Sequence, residues 1–204
     1  MSDSPLVTHI YTADPSAHVF NDLIYVYPSH DRDGGISDND NGDQYDMVDY
    51  HVFSMDDVGS EVTDHGVALK LEDIPWAEKQ LWAPDAAERN GKYYLYFPAR
   101  ASDGLFRIGV PVGDSPEGPF VAEPEPIAGS YSIDPAVLFD GAQAFLYFGG
   151  LWGGQLQQFD GNRHDPALEE PAGASAALSP RVARLSDDMK SIVGEVQEMV
   201  ILDE

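Results

Sequence analysis

The sequence predicts an all-β chain in which a four-stranded antiparallel unit is repeated, as in the blades of a β-propeller. The first observation is an aromatic, β-branched run of strand length that occurs three times, at residues 22–28, 92–98 and 143–149. The second is a turn signal before two of these runs, Asn90-Gly91 and Asp140-Gly141, which is typical of a β-hairpin. The third is that no segment shows a convincing helical period.

A paired Asp and Pro stands upstream of each aromatic run, as Asp14-Pro15, Pro84-Asp85 and Asp134-Pro135. Each unit is therefore predicted to open with a carboxylate on a short strand, turn, and return as the aromatic strand. Because the first strand of each propeller blade lines the central axis, we expect the three carboxylates to converge at one end of an axial channel. Asp and Pro also start many turns, so a purely structural role stays open for each of them.

Additional strands complete the predicted units. Third strands are predicted at 50–54, 106–110 and 181–185, and outer strands at 66–69 and 192–196. The segment 76–81 is interpreted as a short turn or helix. The resulting blades have approximate boundaries at 14–84, 85–133 and 134–204. Because propellers close with about four to eight blades, we expect the remaining blades to come from further sequence or from a complementing chain.

Two long insertions interrupt the repeat. One covers residues 31–46 and is rich in Asp, Asn and Gly, and the other covers residues 151–180 and is rich in Gly and Ala. Loops of this length are usually functional or mobile. The run 38–43 is similar to a calcium-binding loop but lacks the bidentate Glu of such loops, so a solvated loop is the prediction there.

Composition excludes several functional classes. A formal net charge of -25 would repel nucleic acid and anionic lipid, whereas a neutral sugar would not be repelled. The absence of Cys excludes disulfides, thiolate nucleophiles and zinc–sulfur sites. The N-terminal residues show no signal-peptide pattern and no apolar run approaches a membrane span, so a cytoplasmic protein is expected unless a signal peptide was removed.

Converging carboxylates favour hydrolysis of a glycosidic bond. That reaction needs one carboxylic acid to protonate the leaving oxygen and one carboxylate to activate water or to attack the sugar. Aromatic side chains near such a site, here Tyr25, Trp82 and Trp152, would suit stacking on sugar rings. The sequence therefore predicts a carboxylate site that binds a small oligosaccharide.

The motifs resemble those of glycoside hydrolase family 43 along essentially the whole chain. The resemblance rests on segments 12–15, 81–85, 91–96 and 132–136, of which Trp-Ala-Pro-Asp followed by Asn-Gly-Lys-Tyr-Tyr-Leu-Tyr is the most specific. It implies a five-bladed β-propeller, of which about three blades are present here, and an inverting reaction. The Gly-Gly-Leu-Trp-Gly-Gly-Gln segment looks like β-xylosidases and α-L-arabinofuranosidases and argues against a relative of family 32 or 62.

Family roles can be transferred to two residues. Asp14 matches the general base, and Asp134 matches the residue that adjusts the pKa of the general acid and orients it. No Glu in a suitable motif matches the acid, which we expect beyond residue 204, so this chain alone should be nearly inactive. The resemblance also implies substrate contacts, which fall at His30, Asp31, Trp82, Asp85 and Trp152.

The resemblance leaves several points open. Ca²⁺ in the axial channel is expected for relatives, although the chemistry does not require it. The remaining histidines are interpreted as structural. Neither the residues nor the resemblance decides between xylose and arabinose, and the alternative function is a non-catalytic carbohydrate-binding propeller.

Overall fold

The computed structural model describes residues 5–173 and 175–200 of the chain. The expectations about the first N-terminal residues and about the last four residues therefore concern positions outside this part. The β-strands of the described residues are β1 Tyr11–Phe20, β2 Leu23–Asp31, β3 Asp49–Met55, β4 Thr63–Lys70, β5 Ala77–Lys79, β6 Asp85–Arg89, β7 Lys92–Ala101, β8 Phe106–Gly109, β9 Val112–Gly113, β10 Ala136–Asp140, β11 Gln143–Phe148, β12 Phe159–Asp160, β13 Arg163–His164, β14 Arg181–Leu185 and β15 Ile192–Glu198. Short 3-10 helices occur at Leu71–Asp73, Trp152–Gly154 and Leu156–Gln158.

The strands form three antiparallel sheets and one small hairpin. The first sheet has the order β1-β2-β3-β4, and the third has the order β10-β11-β14-β15. In the second sheet, β7 pairs with β5, β6, β8 and β9, and the hairpin β12-β13 stands apart. The all-β prediction is confirmed. The three predicted aromatic runs lie on β2, β7 and β11, with a short overhang at some ends. No described helix is long and apolar enough to cross a membrane.

The interpretation of residues 76–81 as a turn or helix was wrong. Ala77–Lys79 forms β5, an edge strand whose Ala77 pairs with Ala101 and whose Lys79 pairs with Arg100. The reason is that β7 is longer than β6, so its C-terminal half offers free backbone groups to another strand. The second insertion also differs from a plain loop, since it contains two 3-10 helices and the β12-β13 hairpin.

Strand β7 is the centre of the core because it is buried on both faces. Its odd-numbered residues Tyr93, Leu95 and Phe97 pack in a cluster with residues of the first sheet. Its even-numbered residues Tyr94 and Tyr96 pack in a second cluster with residues of the third sheet. A strand covered on both sides needs an uninterrupted apolar run, and this explains the aromatic sequence of the second unit.

The first sheet has a second face, directed away from the second sheet. Val26, Phe53 and Met55 form a smaller apolar cluster on this face. Alternation along β2 and β3 places His30 and His51 on the same face as Val26 and Phe53.

Strand β6 of the second sheet is a spatial neighbour of β1 in the first sheet and of β10 in the third. Asp85, at the start of β6, links all three. Its Oδ1 lies 2.7 Å from Nε2 of His18 in β1, and its Oδ2 accepts a hydrogen bond of 2.7 Å from the backbone N–H of Val137 in β10. The sheets are therefore fixed to one another along their inner strands, and Asp14 and Asp134 lie close to this junction.

Candidate active site

An open cleft of about 970 Å³ lies where the inner strands meet the two insertions. Five carboxylates line it, those of Asp14, Asp31, Asp38, Asp40 and Asp134. Trp82 and Trp152 line it as well, together with residues of the first insertion. The structure thus brings together two carboxylates that the sequence assigned to catalysis and three residues that it assigned to substrate contact.

Asp14 reaches the cleft through an irregularity in β1. The register of β1 against β2 shifts between Ala13 and Ser16, and Asp14 has a φ of 47°, in the left-handed region. Bulges of this kind redirect a side chain, and non-glycine residues in this region are often functional. The Oγ of Ser29 donates a hydrogen bond of 3.1 Å to the Ala13 carbonyl, which fixes the strand beside the irregularity.

Asp134 also has a left-handed backbone, with a φ of 55°. It precedes β10 and follows Ile133, whose side chain is enclosed by the segment that follows β11. A Cβ on Gly150 or Gly154 would lie only 2.6–2.7 Å from Ile133, so these positions require glycine. The N–H of Gly150 donates a hydrogen bond of 2.9 Å to the Ser132 Oγ. This packing holds the Asp134 carboxylate towards the cleft.

Asp134 and Asp31 have raised pKa values. The side chain of Asp134 is open to the cleft, but the protein atoms around it desolvate the carboxylate and raise its pKa to about 6, and the negative charge of Asp14 adds to this. Desolvation and then Asp14 also raise the pKa of Asp31, while His30 lowers it. The Oδ1 of Asp31 is buried and has no hydrogen-bond partner among the described residues.

Trp82 forms a rigid wall of the cleft. Its indole N–H donates a hydrogen bond of 2.7 Å to the Tyr45 carbonyl, and its ring lies 4.6 Å from that of Phe106. A Cβ on Gly42 would lie 2.4 Å from the indole, and a Cβ on Gly153 would lie 2.8 Å from it. The two insertions therefore meet at this ring, and both need glycine to approach it.

Arg100 also connects the two insertions, although no sequence motif indicated this role. Its guanidinium is buried and donates hydrogen bonds to the carbonyl and side-chain oxygens of Asn41 at 2.7 and 2.8 Å, and to the carbonyl of Gly153 at 3.2 Å. Burial lowers the pKa of Arg100. The available signal was an Arg inside the apolar β7 run, because a buried cation needs several acceptors.

Trp152 stands at the rim of the cleft. Its side chain is exposed, its φ is 51°, and its indole N–H donates a hydrogen bond of 2.8 Å to Glu170. A ring held by its polar edge and exposed on its face suits stacking on a sugar.

Three expected site residues do not line the cleft. Asp85 is buried and both of its oxygens are already paired, which corrects the expectation that it joins Asp14 and Asp134 there. His30 points to the other face of the first sheet, where its Nδ1 lies 2.6 Å from Asp49. Tyr25 is part of the core. Asp31 instead joins Asp14 and Asp134 in the cleft, because the end of β2 pairs antiparallel with the start of β1.

Comparison with known proteins gives a consistent assignment. The family model of glycosyl hydrolases family 43 matches residues 7–201. The chain is 65% identical to "Xylosidase/arabinosidase 43A" of Humicola insolens over 98% of its own length and 64% of that protein. A crystal structure of a GH43_1 enzyme from Xanthomonas citri complexed with xylotriose superposes with a TM-score of 0.91 at 58% identity, over 98% of this chain and 59% of that one.

A third relative is CoXyl43, a β-xylosidase/α-arabinofuranosidase from a compost microbial metagenome, solved in complex with xylotriose in a calcium-free form. It superposes with a TM-score of 0.88 at 56% identity, over 96% of this chain and 61% of that one. The chain thus spans about three-fifths of the length of these relatives.

Proposed function

The chain belongs to glycosyl hydrolases family 43, and from the geometry of its cleft we propose that the protein is an inverting glycosidase that releases xylose or arabinose from xylan- or arabinan-derived oligosaccharides. The observation that carries the proposal is the pair of carboxylates, Asp14 and Asp134, that face one open cleft between two tryptophans. The activities after which the relatives are named support the substrate class.

Asp14 is the general base in this proposal. Its side chain is exposed to the cleft, so a water molecule can reach it and be activated for attack on the sugar. In an inverting site, the base and the acid stand about 6.5–9.5 Å apart to leave room for that water. The acid is a Glu that we place in sequence beyond residue 204.

Asp134 is the residue that tunes the acid. A carboxyl with a pKa near 6 exchanges its proton close to neutral pH and can therefore hold a neighbouring carboxyl protonated through a hydrogen bond or through its charge. Asp31, with its unpaired Oδ1, is assigned to a sugar hydroxyl. Trp82 and Trp152 provide the apolar walls against which the sugar rings pack.

The complete fold in this proposal is a five-bladed propeller. Support comes from the three sheets, which meet where β6 of the second sheet packs beside β1 of the first and β10 of the third. The remaining blades belong to the same protein or to a complementing chain. The blade boundaries at 14–84, 85–133 and 134–204 stay predictions.

Ca²⁺ in the axial channel also stays a prediction, and no catalytic step depends on it. Ca²⁺ takes six to eight oxygen ligands. At the axis, both oxygens of Asp85 are already paired, and in the first insertion the Oδ1 of Asp43 accepts hydrogen bonds from Lys79 and Asn41. The carboxylates of Asp85 and Asp43 therefore already have partners among the described residues.

The test is an assay of the full-length protein on p-nitrophenyl β-xyloside and p-nitrophenyl α-L-arabinofuranoside. Hydrolysis that is lost in Asp14→Asn and kept in Asp56→Asn is the expected result. Asp56 is a suitable control because it is exposed and remote from the cleft lining. Binding of xylotriose without any hydrolysis would favour the alternative, a non-catalytic carbohydrate-binding propeller, and full activity of Asp14→Asn would exclude Asp14 as the base.

A further inference from the structure

His30, Asp49 and His51 form a compact cluster on the second face of the first sheet. His30 lies near the end of β2, and the other two lie at the start of β3. None of the three lines the cleft. The cluster is therefore separate from the carboxylates of the proposed reaction.

The geometry of this cluster suits one metal ion. One potential ligand atom from each residue lies within 4.8 Å of the other two, and the Nδ1 of His30 is 2.6 Å from the Oδ1 of Asp49. The two imidazole rings are 4.9 Å apart and inclined at 69°. Because metal–ligand bonds are about 2.0–2.2 Å, ligand atoms on one ion are separated by roughly 3–3.5 Å. Small side-chain rotations would bring the three atoms to that spacing.

A second set of contacts orients His51 as a ligand. Its Nδ1 lies 3.2 Å from the Oδ1 of Asp64, and its Nε2 has no hydrogen bond to any of the described residues, so Nε2 can serve as the ligand atom. Asp64 is itself held by the N–H of Gly66 at 2.7 Å and by the Nε2 of His9 at 2.6 Å. Metal-bound histidines commonly have such a carboxylate on the other ring nitrogen, because it fixes the tautomer and the ring orientation.

Shelter and charge also favour a cation at this position. The side chains of His30, Asp49 and His51 are 25%, 19% and 14% exposed, so they are shielded but still accessible to an ion. The His51 ring also stacks on Phe53, with ring centroids 6.3 Å apart. The overall charge of -25 adds long-range attraction for cations.

We propose that His30, Asp49 and His51 bind one divalent transition-metal ion of the Zn²⁺, Co²⁺ or Ni²⁺ class. Two imidazoles and one carboxylate suit these metals, whereas Ca²⁺ and Mg²⁺ prefer ligand sets made of oxygen. The ion would join the C-terminal end of β2 to the N-terminal end of β3. This site does not depend on the proposed glycosidase activity.

In the first experiment, Co²⁺ and Zn²⁺ are titrated into the EDTA-treated full-length protein. Binding is measured by calorimetry and, for Co²⁺, by the visible absorption of the bound ion. The expected result is one ion per chain in the unsubstituted protein and binding weakened on the order of 10-fold or more in Asp49→Asn and His51→Gln. The matched control is the variant His164→Gln, which should bind the ion as the unsubstituted protein does. His164 is partly buried and lies outside the first sheet, with its Nε2 3.2 Å from Gln158.

Equal affinity in His51→Gln and His164→Gln would overturn the proposal. So would the absence of binding at about 1 mM metal, a concentration at which even a weak site would be half occupied. Anomalous diffraction at the zinc edge from crystals of the unsubstituted protein avoids any effect of a variant on folding. An ion between the three side chains supports the proposal, and zinc bound only elsewhere contradicts it.

Discussion

Asp14 lies in β1 and Asp134 lies just before β10, yet both have a left-handed backbone and both face the same cleft. Desolvation, and then the charge of Asp14, raise the pKa of Asp134 to about 6. Left-handed conformations at non-glycine residues cost free energy and persist where the surrounding structure imposes them. Here the imposed conformation directs two like charges into one space. That electrostatic coupling can be measured.

Asp14→Asn should lower the pKa of Asp134. The substitution removes the negative charge that disfavours ionisation of Asp134, whereas desolvation, the larger cause, remains. The pKa should therefore fall below 6 without reaching the ordinary value of a carboxyl. Titration of the carboxyl ¹³C resonances by NMR measures the shift. An unchanged pKa in Asp14→Asn, equal to that in the Asp56→Asn control, would show that the two carboxylates are not coupled.

Asp134→Asn should stabilise the protein at neutral pH and not at acidic pH. The folded-state pKa of Asp134 is above its unfolded value, so its contribution to stability is fully present below pH 4 or so and is lost as the pH rises through about 6. Replacing the ionisable group removes that loss. Thermal unfolding from pH 4 to 8 should show that the difference in Tm between variant and parent grows as the pH increases. A difference that stays constant with pH would contradict the raised pKa.

Gly153→Ala should displace Trp82. The new Cβ would lie 2.8 Å from the indole, which cannot yield easily because its N–H is bound to Tyr45. Overpacking of this kind costs about 1–3 kcal/mol. We expect KM for xylosides to rise more than kcat falls, together with a change in tryptophan fluorescence. Gly34→Ala is the control, since its Cβ would meet no atom closer than 3.9 Å. Equal kinetics in the two variants would show that Trp82 does not shape the sugar site.

The sequence predicted the strands well because alternation and turn residues are local signals. The aromatic runs and the turn at Asn90-Gly91 needed no knowledge of distant contacts. The pairing of Asp with Pro also placed Asp14 and Asp134 correctly at the cleft, since equivalent positions of a repeat occupy equivalent places in space.

The repeat could not reveal which hydrogen-bond partners each repeated Asp side chain has. Asp85 is equivalent in sequence to Asp14, but His18 and the backbone of Val137 take both of its oxygens. Its place in the cleft belongs to Asp31, which depends on the pairing of β1 with β2. Arg100 was missed for a similar reason, because its acceptors come from two loops far away in the sequence.

Asp85→Ala should destabilise the fold more than Asp85→Asn. Alanine leaves the Val137 N–H unpaired near the junction of the three sheets, whereas asparagine can still accept that hydrogen bond. Hydrogen bonds to charged groups contribute about 1.5–3 kcal/mol, and an unsatisfied buried donor adds to the loss. Denaturant unfolding of both variants and of Asp56→Ala measures the effect. If Asp85 instead bound substrate, KM would rise while the free energy of unfolding stayed at the parent value.

Arg100→Met should release the first insertion from the cleft wall. The substitution keeps much of the side-chain volume but removes the hydrogen bonds to Asn41 and Gly153 that join the two insertions. Because each bond to a charged group contributes about 1.5–3 kcal/mol, amide hydrogen exchange in residues 38–46 should accelerate by at least about tenfold. Arg107→Met is the matched control, since Arg107 is partly exposed and its hydrogen bonds within the described part of the chain go to Phe106 and Asp103, near its own strand. Equal exchange rates in the two variants would show that the first insertion is held by other contacts, such as that of Trp82 with Tyr45.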